Sequence, residues 1–167
     1  VIPLVYDMIQ NLYVRLFGKE TDREKVLDAV KNDGRALQYA SSELRGDREF
    51  ILEVVKQSGY ALEFSSGKLR KDREIVLEAV KQNGYALQFA SGELKRDREI
   101  VIEAIRQNVR VLYDVSSDLQ RDREVILEAV KQNGYVLAFA SLEFRGDRGV
   151  VLEAVKQIGE ALRYASA

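Results

Sequence analysis

The 167-residue chain has no cysteine, no histidine and no tryptophan, and only one proline, Pro3. Without cysteine and histidine there can be no disulfide bond, no thiol catalysis, no Ser-His-Asp triad and no zinc held by those ligands. The near absence of proline argues against long irregular linkers. Most common catalytic centres are therefore excluded by composition alone.

An excess of charge of one sign is also absent. The chain carries 26 Lys and Arg against 27 Asp and Glu, a net charge of −1, and both signs are scattered along its whole length. This pattern provides no basic surface that would bind a nucleic-acid phosphate backbone. It also provides no acidic tail that would bind a basic partner. Glycine-rich phosphate loops, EF-hand spacing and the Gly-x-Ser-x-Gly elbow are missing too. We expect no enzyme activity, no cofactor, no bound metal and no nucleic-acid partner.

What the chain does contain is an internal repeat of 25 residues. The pair Asp-Arg recurs at Asp22, Asp47, Asp72, Asp97, Asp122 and Asp147. The surrounding pattern is clearest in residues 72–96, DREIVLEAVKQNGYALQFASGELKR. A fixed period of this length is the signature of a stacked repeat array. We divide the chain into a segment 1–21 and six repeats: 22–46, 47–71, 72–96, 97–121, 122–146 and 147–167.

Each repeat predicts one longer and one shorter helix. The apolar residues after Asp72 have helical spacing, and Asp72 lies where an N-cap belongs. We expect Gly84 to end this helix in a left-handed conformation, and a second helix to follow. Isolated helices this short are marginal, so neighbouring repeats must bury each other's apolar faces. The predicted fold class is all-α, an α-solenoid of six helix-turn-helix repeats.

One aromatic position recurs in the second helix. It is occupied by Tyr39, Phe64, Phe89, Phe139 and Tyr164. At helical spacing such a residue is usually part of the core, so we predict that these rings fill the core.

The sequence of residues 72–104, DREIVLEAVKQNGYALQFASGELKRDREIVIEA, resembles the DUF 4116 repeat, a domain family of unknown function. The resemblance extends from Asp22 to Ala167. It implies tandem helical copies, and it carries over no catalytic or binding residue because the family has none established. The family occurs in unicellular algae and bacteria. That distribution implies an accessory subunit of an algal organelle or photosynthetic complex or, alternatively, a secreted bacterial effector module.

Repeat four departs from the pattern and supplies candidate partner-binding residues. Val109 replaces the glycine, Asp114 replaces the aromatic residue, and Tyr113 stands one place earlier. We expect the second helix to rotate there, or the first helix to run on, because a β-branched residue is costly in the left-handed region. The alternative is neutral drift in one copy.

The position after the glycine supplies further candidates. Tyr60, Tyr85, Arg110 and Tyr135 occupy it in repeats two to five. Tyrosine and arginine are enriched at binding hot spots, so one edge of the array is a candidate protein-binding surface. The alternative is variation at solvent-exposed positions.

The N-terminal segment 1–21 is apolar over most of its length and includes Tyr6, Leu12 and Phe17 as the last candidates. It is too short and too polar for a transmembrane span. We expect it to cover the first repeat, with docking into another subunit or contact with a membrane surface as alternatives. The chain begins with Val1, as expected after removal of a targeting peptide (for example an organellar one) or in a piece of a longer protein.

Together these observations predict a non-enzymatic helical scaffold that binds another protein, as an accessory or structural subunit of a larger assembly. A helical repeat that binds nucleic acid, with each repeat reading one base, is the alternative function.

Overall fold

A computed structural model describes residues 20–166, and over this range it contains helices and no strand. Each repeat begins with a ten-residue α-helix. These first helices are Arg23–Asn32, Arg48–Gln57, Arg73–Gln82, Arg98–Gln107, Arg123–Gln132 and Arg148–Gln157. A second, 3-10 helix follows at Gly34–Tyr39, Gly59–Phe64, Gly84–Phe89, Val109–Tyr113, Gly134–Phe139 and Gly159–Tyr164. Short helical turns lead to the next repeat at Ser42–Gly46, Leu69–Lys71, Leu94–Arg96, Ser117–Gln120 and Leu142–Gly146.

Local hydrogen bonds explain both ends of a first helix. In repeat three the Asp72 carboxylate accepts from the backbone N–H groups of Glu74 and Ile75, at 3.1 and 3.2 Å. At the other end Asn83 is extended, with φ −154° and ψ 111°, and its N–H donates to the Ala79 carbonyl. The Asn83 side chain then accepts from the N–H of Tyr85 at 3.0 Å. One extended residue therefore ends the first helix and caps the second.

The glycine that recurs at the start of the second helix lies very close to the backbone of the next repeat. The prediction of a left-handed Gly84 is wrong, because this residue starts the second helix and no described glycine has a positive φ. A Cβ atom on Gly84 would lie 2.4 Å from the carbonyl oxygen of Ala104 in the next repeat. The equivalent distances are 2.1 Å from Gly59 to Ala79 and 2.5 Å from Gly134 to Ala154. Glycine is required by the tight contact between repeats.

The helices form two layers with the core between them. Consecutive first helices pack side by side, and most second helices pack against their neighbours in the other layer. Ile75, Val76 and Val80 of a first helix are fully buried, as is Leu62 of a second helix. The cluster of buried side chains runs through all six repeats. The predicted all-α solenoid is confirmed.

Two kinds of hydrogen bond also join successive repeats. The arginine of each of the first five Asp-Arg pairs contacts the next aspartate, as in Arg48–Asp72 at 2.8 Å and Arg73–Asp97 at 2.9 Å. On the second-helix side a serine N–H donates to a carbonyl of the preceding repeat or, for the first repeat, of segment 1–21. This bond is formed by Ser41 with Glu20, Ser66 with Arg45, Ser91 with Arg70 and Ser166 with Arg145, at 2.7 to 2.9 Å.

Candidate partner-binding surface

Repeat four is the irregular repeat of the array. Its first helix, Arg98–Gln107, has the same ten residues as the others, so the expectation that it runs on is wrong. Its second helix, Val109–Tyr113, is one residue shorter, and Asp114 follows it with φ −100° and ψ −8°. The irregularity is therefore confined to the second-helix layer.

Valines occupy three positions at which repeat three has small residues; at the position of Val111, repeat five also has a valine, Val136. Val109 replaces the glycine, while Val111 and Val115 stand where repeat three has Ala86 and Ala90. The glycine position leaves no room for a Cβ atom in the regular repeats, so a valine there requires the two segments to separate. Accordingly, the second helix of repeat four packs only loosely against the first helix of repeat five and makes little contact with either neighbouring second helix.

The serine hydrogen bond between repeats is lost on both sides of repeat four. Among the described residues, the N–H of Ser116 has no bond to the Lys95 carbonyl, and that of Ser141 has none to the Gln120 carbonyl. The Gln120 side chain instead donates to the carbonyls of Leu112 and Val115 inside its own repeat, at 3.0 and 3.3 Å. Repeat four thus closes its turn on itself.

A cleft of about 470 Å³ opens between repeats three and four. Its repeat-three wall includes Tyr85, Leu87, Gln88, Lys95 and Arg96, and its repeat-four wall includes Val111, Asp114, Val115 and Ser116. This volume lies within the range of small ligand-binding pockets. The cleft combines an apolar floor with charged and polar edges.

The charges at the cleft differ from those of the ion-pair ladder. Within residues 20–166, the side chains of Lys95, Arg96 and Asp114 form no ion pair. The ladder arginines, in contrast, are paired: Arg98 contacts both Asp122 and Glu124. The cleft therefore offers two unpaired cations and one unpaired anion, a net positive charge.

The variable position of the second helices lies on the outer face of that layer. Tyr60, Tyr85 and Tyr135 are exposed, and so is Arg110. The Tyr60 ring packs edge-on against Phe89, with centroids 5.3 Å apart. These residues form a row along one side of the array, interrupted by the arginine of repeat four.

Interactions of Tyr135 extend this row into the last repeat. Its hydroxyl donates to the Glu160 carboxylate at 3.3 Å, and the charge of Glu160 raises the pKa of Tyr135. The phenol is therefore neutral at ordinary pH and remains a hydrogen-bond donor.

Exposed apolar side chains that the sequence did not predict lie next to the irregular repeat. Phe139, predicted to fill the core, is 74% exposed, and Leu142 is 72% exposed. Tyr60 packs against Phe89, 29 residues later, whereas Arg110 stands at the same spacing before Phe139. Tyr113 packs edge-on against the Phe139 ring, with centroids 6.1 Å apart. Arg35 stands at the same spacing before Phe64, which is half-buried, so the sequence carried no clear signal for the exposure of Phe139.

The other recurrent rings agree better with the core prediction. Phe64, Phe89 and Tyr164 are half-buried and pack against the core. Three other candidates, Tyr6, Leu12 and Phe17, lie outside the described residues.

The periodic carboxylates have structural partners. Burial raises the pKa of Asp72, but the Arg48 guanidinium and the N–H of Ile75 outweigh it, so the pKa is lowered overall. Asp147 is held at a pKa of about 2 by Arg123 and the N–H of Val150. Nowhere in residues 20–166 do three acidic side chains gather closely enough to hold a metal ion. In the same range no helix has the length and apolar character needed to cross a membrane.

Two layers of short helices in tandem, with contacts between sequential neighbours, define a helical-repeat protein. The family model described as Domain of unknown function (DUF4116) matches the chain three times, over residues 22–70, 72–120 and 122–167. The chain belongs to this family, which confirms the resemblance noted from its sequence. Each match spans two of the 25-residue repeats. Comparisons with curated proteins and with solved structures found no match.

Proposed function

We propose that this chain is a non-enzymatic scaffold that binds another protein through the second-helix layer around repeat four. In this proposal it serves as an accessory or structural subunit of a larger assembly. The observation that carries the proposal is the exposed apolar group of Tyr113, Phe139 and Leu142, which are 56%, 74% and 72% exposed. Tyr113 and Phe139 pack against each other, and exposed apolar surface of this kind marks protein-interaction sites.

The row of second-helix tyrosines supports the same location. Tyr85 and Tyr135 lie on either side of repeat four and present rings with polar hydroxyl groups. Tyrosine supplies a large contact area and a hydrogen bond at a low cost in side-chain entropy. Arg110 lies between them in sequence and adds a planar donor group. The surface thus has the composition typical of binding hot spots.

The carboxylates favour a non-enzymatic role. The repeated aspartates accept helix N–H groups and bind arginines, as Asp97 does with Ile100 and Arg73. Carboxylates held in this way have low pKa values and no proton to transfer at neutral pH. The same pairing occupies the ladder arginines, which does not favour binding to a phosphate backbone.

Affinity capture with matched variants tests the proposal. The tagged chain is incubated with an extract of the cells that produce it, and the stoichiometry of captured proteins is measured. We expect one stoichiometric protein that is retained by the unchanged chain and lost by the double variant Phe139→Ser, Leu142→Ser. The control is Leu152→Ser, Leu162→Ser, which removes two exposed leucines from repeat six.

Three outcomes would contradict the proposal. The first is quantitative recovery of the chain as a free monomer. The second is equal capture by both double variants. The third is binding of single-stranded RNA or DNA at low salt with a steep loss of affinity as salt is added, which would indicate the nucleic-acid alternative.

A further inference from the structure

The backbone at the cleft carries one hydrogen-bond donor and one acceptor that regular junctions pair with each other. In the first junction the segment around Ala40 forms a parallel β-bridge with Glu20: Glu20 donates to the Tyr39 carbonyl and Ser41 donates to the Glu20 carbonyl. At the cleft the corresponding groups, the Ser116 N–H and the Lys95 carbonyl, do not bond to each other. Buried or half-buried backbone groups without partners are unfavourable, so a ligand that satisfies both would be stabilised.

An extended peptide is the ligand that satisfies both groups at once. It presents alternating N–H and C=O groups along its edge, and proteins with unpaired strand-like backbone recruit such segments by adding them as a strand. Ser116 already has extended dihedrals, φ −59° and ψ 151°. The cleft lies beside this residue, so a peptide in it would run where the missing inter-repeat contact runs elsewhere in the array.

The floor of the cleft specifies an apolar side chain. Leu87, Val111 and Val115 line it, while Tyr85 stands at its edge. Along an extended peptide alternate side chains point to the same face, so one residue enters the cleft while its two neighbours point outward. A leucine-sized side chain fits a cavity of about 470 Å³ together with the backbone that carries it.

The edges of the cleft specify charge. Lys95 and Arg96 are unpaired on one wall, against the single carboxylate of Asp114 on the other. Unpaired cations beside a binding groove favour acidic ligands and accelerate their association. The neighbouring residues of the bound peptide are therefore expected to be Asp or Glu.

We infer that the cleft between repeats three and four binds an extended acidic peptide segment of a partner protein, with one apolar side chain entering between Leu87 and Val115. The backbone of the peptide pairs with the Ser116 N–H and the Lys95 carbonyl. This inference rests on the proposed function and names the chemistry of the partner.

Fluorescence anisotropy with synthetic peptides tests the inference. The first probe is a short labelled peptide with a central leucine flanked by glutamates. The second has lysines in place of the glutamates, and the third has N-methylated backbone amides around the leucine. We expect the protein to bind the first probe and to bind the other two at least tenfold more weakly. The second probe loses the charge contacts, and the third loses a backbone hydrogen bond.

Two substitutions at one residue separate the backbone contact from the side chain. Ser116→Pro removes the N–H at a φ of −59° that proline already adopts, and Ser116→Ala keeps the N–H. We expect Ser116→Pro to weaken binding of the acidic peptide about tenfold and Ser116→Ala to leave it within about twofold. Both variants should melt at the temperature of the unchanged chain, because the Ser116 N–H forms no inter-repeat bond to lose.

The double variant Lys95→Glu, Arg96→Glu changes only the charge at the cleft edge. It should abolish the preference for the glutamate peptide over the lysine peptide. Equal binding of all three peptides, or equal binding by Ser116→Pro and Ser116→Ala, would overturn the inference. If no peptide binds while capture of a partner still depends on Phe139 and Leu142, the cleft inference falls and the proposed function stands; if that capture also fails, both fall.

Discussion

The two helical layers respond differently to the same repeat. In the first-helix layer, repeat four keeps the regular pattern: its helix has ten residues, and its arginine and aspartate continue the ladder of ion pairs without interruption. In the second-helix layer the same repeat is shortened, makes little contact with either neighbouring second helix and lacks both serine hydrogen bonds. One layer therefore keeps the array continuous while the other is free to vary.

This difference has a physical basis in what each layer must satisfy. The first helices carry completely buried apolar side chains such as Ile100 and Ile105. A smaller side chain at these positions would leave a cavity in the core. The second helices approach through glycine and alanine, so a larger side chain can be accommodated by separation instead of by a cavity. In an array with nearest-neighbour energetics such a local opening leaves distant repeats unaffected. A binding site can form there while the first-helix layer stays unchanged.

The largest effect is expected from placing a side chain into a regular junction. In Gly84→Ala the new Cβ atom would lie 2.4 Å from the Ala104 carbonyl oxygen, so backbone must move, and we expect a loss of about 1–3 kcal/mol of unfolding free energy. The measurement is urea denaturation followed by circular dichroism. The matched control is Gly92→Ala, whose Cβ would meet no atom within 4 Å.

The control should change stability by less than about 0.5 kcal/mol, or raise it slightly because alanine reduces the freedom of the unfolded chain. Equal effects of the two substitutions would mean that close approach is not what requires glycine at the repeat junctions. The tight regular junction and the open junction of repeat four would then need another explanation.

Much of the regular junction could be predicted from the sequence. The 25-residue period, the Asp72 cap and the helical spacing of Ile75 and Val76 are local signals, and each gave the correct element. The family resemblance strengthened the same fold and is confirmed over residues 22–167. The signals that start and end each helix lie within a single 25-residue copy, which is why the sequence pattern sufficed to predict the helices.

The open junction could be located but not described. The sequence identified Val109, Tyr113 and Asp114 as departures, yet the expected left-handed glycine was wrong because close approach to Ala104 depends on the next repeat. The exposure of Phe139 likewise accompanies the open junction, where the second helix of repeat four makes little contact with that of repeat five. Contacts between repeats are tertiary and have no signal within one copy.

A smaller loss of stability is expected from removing an aspartate that caps a first helix, in a regular repeat or in repeat four. Asp72→Ala removes the cap of a first helix in a regular junction and should lower the unfolding free energy by about 1 kcal/mol. Asp97→Ala does the same in the first helix of repeat four, where Asp97 accepts from the N–H groups of Glu99 and Ile100. If the first-helix layer is uniform, denaturation should give the same loss for both, and a clearly smaller loss for Asp97→Ala would show that the irregularity reaches this layer.

Acid should lower the stability of the chain by protonating the same aspartates. The pKa values of Asp72 and Asp97 are lowered in the folded chain and that of Asp147 is about 2, against about 4 for an unfolded aspartate. The folded state therefore binds fewer protons, so their contribution to stability is complete above about pH 4 and is lost as the pH falls towards 2. Thermal melting across this range should show the decline, and Asp72→Ala should make it shallower.

The smallest effect is a difference in amide hydrogen exchange between a regular junction and the open junction, measured on the unchanged chain. Amide hydrogen exchange at Ser66 and Ser91 requires breaking their bonds to Arg45 and Arg70, of 2.8 and 2.9 Å. The Ser116 N–H has no such bond, so it should exchange faster than both, as measured by NMR in deuterated water. Because exchange at Ser116 needs only local motion, its rate should stay the same when mild denaturant is added, whereas exchange at Ser91 should accelerate. Equal protection of the two amides would mean that the cleft is closed in solution, and binding of a peptide would then require the junction to open first.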